Sequence, residues 1–144
     1  MVVKIKKLKE NAIIPTKGSS KAAGYDLYAC CDNTITIEPC KTEKISTGIA
    51  VQPPTGYFGA IFARSGLATK HGLRPANCVG VCDEDYTGEY VVVLHNDSDN
   101  LQVVKSGDRI AQMILLPYMD VDFEEVDELE DTSRGNSGFG STGR

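Results

Sequence analysis

The sequence predicts an all-β domain, a sandwich or barrel of short strands. Two observations carry that expectation. Runs with strand patterning recur roughly every eight to twelve residues, and turn signals rich in Gly, Pro, Asn and Asp separate them. A chain of 144 residues suits one domain with a real hydrophobic core.

Taken in order, Val2–Leu8 mixes apolar and Lys residues as a strand does, and Asn11–Ile14 adds a short apolar run before Pro15. Thr16–Lys21, made of Lys, Gly and Ser with one Thr, reads as a turn or loop. In the next strand Leu27 alternates with Tyr25 and Ala29, and Asp26 is either a ladder-end residue or a functional carboxylate. Thr34–Ile37 alternates and stops before Pro39, Lys44–Val51 reads as one further strand, and Tyr57–Ala63 as another. At Arg64-Ser65-Gly66 the pattern changes: Ser65 is placed to cap a short helix that Gly72 ends. Such a corner is either ordinary or an anion site, with Arg64 as its forked cation.

Residues 77–90 stand out. Cys78–Cys82 and Tyr90–Leu94 flank a dense acidic turn, with Gly80 inside the first run and Gly88 closing the turn, which predicts a β-hairpin pinched around something small. Asn96–Asn100 is a polar turn and Leu101–Val104 a strand. Arg109–Leu116 is strongly apolar except for Gln112, which either ties strands together or reaches into a site. Met119–Asp131 is acidic and weakly apolar: Val121 and Phe123 alternate, which favours a strand at its start, while Val126 and Leu129 fit a helix equally well. Residues 132–144, where only Phe139 is large and apolar, compose a flexible tail after a β domain of residues 1–131.

The net charge of −5 argues against a sequence-independent nucleic-acid binder. No stretch has the length and apolarity of a membrane span or a signal peptide, so the expected location is cytoplasmic and/or nuclear. Five Cys, an odd number without framework spacing, suggest reduced thiols, and the pairs Cys30-Cys31 and Cys78-x3-Cys82 lack a second pair at finger-like spacing for zinc. There is no P-loop, and an EF-hand reading from Asp83 fails because Leu94 stands at the closing Glu position. His71 reads as a surface residue and His95 as a structural one.

What remains is a set of five separated segments: Ala23-Gly24-Tyr25-Asp26-Leu27; Arg64-Ser65-Gly66-Leu67-Ala68; Gly80-Val81-Cys82-Asp83-Glu84-Asp85-Tyr86-Thr87-Gly88; Gly107-Asp108-Arg109-Ile110-Ala111-Gln112-Met113-Ile114; and Arg134-Gly135 with Gly138-Phe139-Gly140-Ser141-Thr142-Gly143. In this order they closely resemble the motifs of the homotrimeric dUTPases, deoxyuridine triphosphate nucleotidohydrolases, over nearly the whole chain.

The resemblance implies a distorted antiparallel jelly roll, a homotrimer with shared sites, and hydrolysis of dUTP to dUMP and pyrophosphate, which limits uracil in DNA and supplies dUMP for dTTP synthesis. It implies that Asn77, Gly80 and Val81 hold uracil and that Tyr86 lies against the deoxyribose. Asp83, as a buried carboxylate, activates water. Ser65 supports the leaving pyrophosphate, and Arg64, Gly66 and Gln112 hold the phosphate chain. Arg134 meets the γ-phosphate, Phe139 stacks on uracil, and Gly140, Ser141, Thr142 and Gly143 complete the closing arm. Mg²⁺ rides mainly on the triphosphate, with Asp26 reaching it through water.

Three positions depart from the family pattern: Ala63 stands for a usual Pro, Cys82 for an aliphatic residue and Ser137 for a tail Gly. The same fold serves dCTP deaminases, but those carry Arg-Ser-Ser where Gly66 follows Arg64-Ser65 here. A regulatory protein that binds dUTP as a switch is the alternative from another class.

Overall fold

The computed structural model describes residues 1–77 and 79–138. Its centre is the longest strand, β12 (Arg109–Pro117), which is paired on both sides and carries Ile110, Ala111 and Met113 into the core. It lies between β3 (Tyr25–Tyr28) and β7 (Tyr57–Phe62). β2 (Thr16–Lys17) and β9 (Gly80–Cys82) complete an antiparallel five-stranded sheet in the order β2-β3-β12-β7-β9. A second sheet orders β5 (Thr42–Ile45), β10 (Val92–Asn96) and β8 (Leu73–Pro75) as β5-β10-β8. Two pairs, β1 (Lys4–Lys7) with β6 (Ile49–Gln52) and β4 (Ile35–Ile37) with β11 (Gln102–Val104), close the remaining sides.

These sheets share one apolar cluster, in which Leu27, Ile37, Ile45, Leu94 and Ile110 are nearly or fully excluded from solvent. Strand β10 shows the alternation that builds it, with Val92, Leu94 and Asn96 inward. Asn96 is buried without loss: its Nδ2 donates to the carbonyls of Ile37 and Asn100 at 2.9 and 2.8 Å, and its Oδ1 accepts from Ser98 N and Oγ. The result is the expected mostly-β architecture, a distorted antiparallel jelly roll with one short helix among the described residues. Among the described residues no helix is long and apolar enough to cross a membrane.

Four local expectations are corrected. The runs beside the acidic turn are not a hairpin: β9 pairs with β7 and β10 with β5 and β8, so residues 83–91 cross from one sheet to another. Lys44–Val51 is two strands, because Ser46-Thr47-Gly48 turns with Gly48 at φ 67°. The helix α1 (Ser65–His71) ends at a left-handed Gly72 as expected, but its N-cap is Arg64, and the cap makes no side-chain hydrogen bond. Residues 119–131 form neither strand nor helix, since their apolar side chains, Phe123 among them, find no core to cover.

Candidate active site

Strand β9 is the outer strand of the five-stranded sheet, and a cleft of about 240 Å³ opens beside it. Asn77, Gly80, Val81, Asp83, Tyr86 and Tyr90 line this cleft. Gly80 faces Ile61 of β7 in register. Past Cys82 the chain turns, with Tyr86 N donating to the Asp83 carbonyl at 3.2 Å. The Tyr86 ring lies over the backbone at Gly88, where an added Cβ would stand 2.6 Å from the phenol. It stacks on Tyr90 at a centroid distance of 6.2 Å and 25° between planes, and its hydroxyl donates to the Glu89 carbonyl at 2.9 Å. The cleft therefore offers a flat aromatic wall, an amide side chain and two acidic residues, of which Glu89 is engaged by Ser46 and Gly48 and Asp83 is open.

Asp83 is exposed, which differs from the buried carboxylate implied by the resemblance; in a single chain it stands open at the turn. Its acidic neighbour Glu84 does fold-directed work. Glu84 accepts from Gly56 N at 2.7 Å and Tyr118 Oη at 2.9 Å, and these bonds hold its carboxyl below the ordinary value while raising Tyr118. Beneath the turn, burial pushes the Cys82 thiol up to about 11, so it stays protonated at neutral pH.

The helix corner forms a separate group. Both oxygens of buried Asp26 meet cations: Arg64 Nε at 2.8 Å and Arg109 Nη1 at 3.2 Å. Arg64 Nη1 also donates to the Arg109 carbonyl at 3.1 Å. Gln112, opposite Asp26 on one side and Phe62 on the other, donates through Nε2 to Ala63 O at 2.9 Å. It thus ties the strand end that delivers Arg64, and one amide hydrogen remains for a ligand. Ser65 and Gly66 are exposed just beyond, and a larger cleft of about 520 Å³ adjoins Arg64 and Arg109.

Asn77, Gly80, Val81, Asp83 and Tyr86 thus come together, as do Asp26, Arg64 and Gln112, but the two groups do not merge. Tyr25, Met113, Ile61 and Gly80 lie along one rung of the sheet. Three strand spacings of about 4.8 Å put the Asp26 end roughly 14 Å from Gly80. Among the described residues, none of the helix corner lines the cleft that holds Asp83. Arg134 is exposed in a local turn, its Nε donating to Ser137 O at 3.0 Å. Phe139, Gly140, Ser141, Thr142 and Gly143 lie outside the described residues, as does Cys78.

Two residues without a role in the sequence reading belong to this geometry. Arg109 stood within a quoted segment, and its signal was a lone cation at the start of an apolar strand. Glu89 lines the cleft but offered no signal, since nothing in sequence tied it to residues 46–48.

As to a metal, among the described residues no three His, Cys, Asp or Glu side chains gather to hold one. Asp26 has spare lone pairs beside its two arginines, which can accept from the water shell of a hydrated ion.

A base-sized cleft with a carboxylate, and a cation corner suited to phosphates, define a nucleotide-handling β protein. The family model described as dUTPase matches residues 10–143, and the chain belongs to the dUTPase family. The deoxyuridine 5'-triphosphate nucleotidohydrolase of Desulfitobacterium hafniense is 50% identical over 131 residues, covering 90% of this chain and 87% of that protein. The enzyme of the same name from Hydrogenobaculum sp. is 44% identical over 143 residues, covering 99% of each. Among solved structures, a Staphylococcus bacteriophage 80alpha dUTPase variant with dUpNHpp superposes with a TM-score of 0.86 at 28% identity, covering 99% of both chains.

Proposed function

We propose that this chain is a dUTP diphosphatase that hydrolyses dUTP to dUMP and pyrophosphate. The observation that carries the reading is the cleft at β9, where Asn77, Gly80 and Tyr86 surround a base-sized space and Asp83 stands beside it. Asn77 and the backbone of Gly80 and Val81 read uracil by its donor and acceptor edge. Tyr86 lies against the deoxyribose and leaves no room for a 2′-hydroxyl.

Asp83 takes a proton from water, whose oxygen bonds to the α-phosphorus. The bond from that phosphorus to the bridging oxygen breaks, and its electron pair leaves with pyrophosphate. Ser65 donates to that oxygen, while Arg64, Gly66 and Gln112 hold the phosphate chain. Mg²⁺ on the triphosphate would neutralise its charge, with Asp26 reaching it through water. Residues 132–144 act as an arm, with Arg134 on the γ-phosphate, Phe139 on uracil and Gly140, Ser141 and Thr142 on phosphate.

The separation of the cleft from the cation corner supports a site shared between subunits of a homotrimer. Exposure of Asp83 in one chain agrees, since a neighbour would cover it. Incubation with dUTP, and separately with dCTP, in the presence of Mg²⁺ tests the reading. Pyrophosphate from dUTP and none from dCTP is expected. Ammonia from dCTP, or no turnover of dUTP, would refute it.

A further inference from the structure

Residues 83–91 cross between sheets without a strand partner of their own, so something else must fix Tyr86. Tyr86 is exposed, and apart from its stack on Tyr90 it is held at its tip by the Glu89 carbonyl. Glu89 and Tyr90 are in turn bound to the 46–49 turn by four hydrogen bonds. Glu89 Oε1 accepts from Ser46 Oγ at 2.5 Å and from Gly48 N at 2.7 Å. Tyr90 O accepts from Thr47 Oγ1 at 2.5 Å, and Tyr90 N donates to Ile49 O at 2.9 Å. Burial would raise the Glu89 carboxyl, but the bonds from Ser46 and Gly48, with the Lys9 charge and the Thr47 N–H, outweigh it and hold the group below the ordinary value, so it is ionised and a strong acceptor at neutral pH.

We propose that Glu89 is a positioning residue for sugar selection: its carboxylate grips the 46–48 turn and so fixes the carbonyl that holds Tyr86 against the sugar. The proposal rests on the reading that Tyr86 faces the deoxyribose. A backbone acceptor is only as fixed as its residue; Val91 N donates to this carbonyl at 3.0 Å and Tyr90 N ties its peptide to Ile49, while the Glu89 side chain adds the two bonds that clamp the residue itself to the turn. Without it, Tyr86 gains freedom to tilt, and a ribose gains room. Glu89 touches no reacting atom, so its loss acts on discrimination more than on the chemical step.

Steady-state kinetics with dUTP and UTP on the full chain test this. Tyr86→Ala sets the scale by lowering the ratio of kcat/KM for dUTP over UTP. Glu89→Ala is expected to lower that ratio about tenfold, mainly through KM, and Ser46→Ala about threefold. Glu89→Gln keeps an oxygen that accepts both bonds and should restore the ratio to within about twofold of the parent. If Tyr86→Ala lowers the ratio but Glu89→Ala and Ser46→Ala leave it unchanged, the proposal is overturned. An unchanged ratio in Tyr86→Ala refutes the reading of Tyr86 instead, and a parent protein inert to dUTP refutes the activity. Should Glu89→Ala fail to fold, Ser46→Ala alone decides: a lowered ratio upholds the proposal and an unchanged one rejects it.

Discussion

Tyr90 is 2% exposed, and among the described residues its hydroxyl meets no hydrogen-bond partner. The Cys82 thiol is a neighbour that helps raise the phenol, after burial itself, but the pair lacks hydrogen-bond geometry, and a thiol is a weak partner in any case. A buried hydroxyl without a partner costs about 1–3 kcal/mol. Tyr90→Phe keeps the ring and its stack on Tyr86, so stability should hold or rise by up to about 1 kcal/mol, read by urea unfolding. A loss greater than about 1 kcal/mol would show that the hydroxyl has a partner such as an ordered water.

At this same scale the site was legible unevenly. Asn77, Gly80, Asp83 and Tyr86 lie within one short stretch, so their neighbourhood was readable from order along the chain. Asp26 was left open between a ladder residue and a functional carboxylate, because its two arginine partners are 38 and 83 residues away. Glu89 escaped altogether, since its partners lie 41 and 43 residues earlier in a turn that the apolar pattern conceals.

That turn is the clearest case among the elements. Ile45, Ile49 and Val51 are all buried, and an alternating apolar run through Lys44–Val51 reads as continuous strand. Burial on both sides of a tight turn leaves the same pattern, because the core surrounds it. The distinguishing residue is Gly48, whose φ of 67° suits glycine and whose added Cβ would lie 2.9 Å from Ala12 Cβ and 3.0 Å from Cys30 Sγ. Gly48→Ala therefore combines backbone strain with overpacking. It is expected to destabilise the fold by about 2–4 kcal/mol, measured by denaturant midpoint at constant slope. A loss below about 1 kcal/mol would mean that the turn relaxes and does not clamp residues 89–90.

For the whole molecule the central fact is spacing. Across the five-stranded sheet Asp26 on β3 stands three strand spacings, roughly 14 Å, from Gly80 on β9. Among the described residues the helix corner does not line the cleft that holds Asp83, which supports the proposal that a second copy brings it. Order along a sequence carries no information about which copy supplies which residue, and the shared site is an expectation of the family resemblance alone. Mixing two inactive variants tests it. Asp83→Asn lacks the base and Ser65→Ala lacks the donor to the leaving group, and each alone should lose most turnover. If Asp83 and Ser65 of one site come from different subunits, the two variants co-refolded in equal amounts should recover about a quarter of parental activity, since each residue is intact half the time. A mixture no more active than its components would place both residues in one chain's site and would remove the case for a shared one.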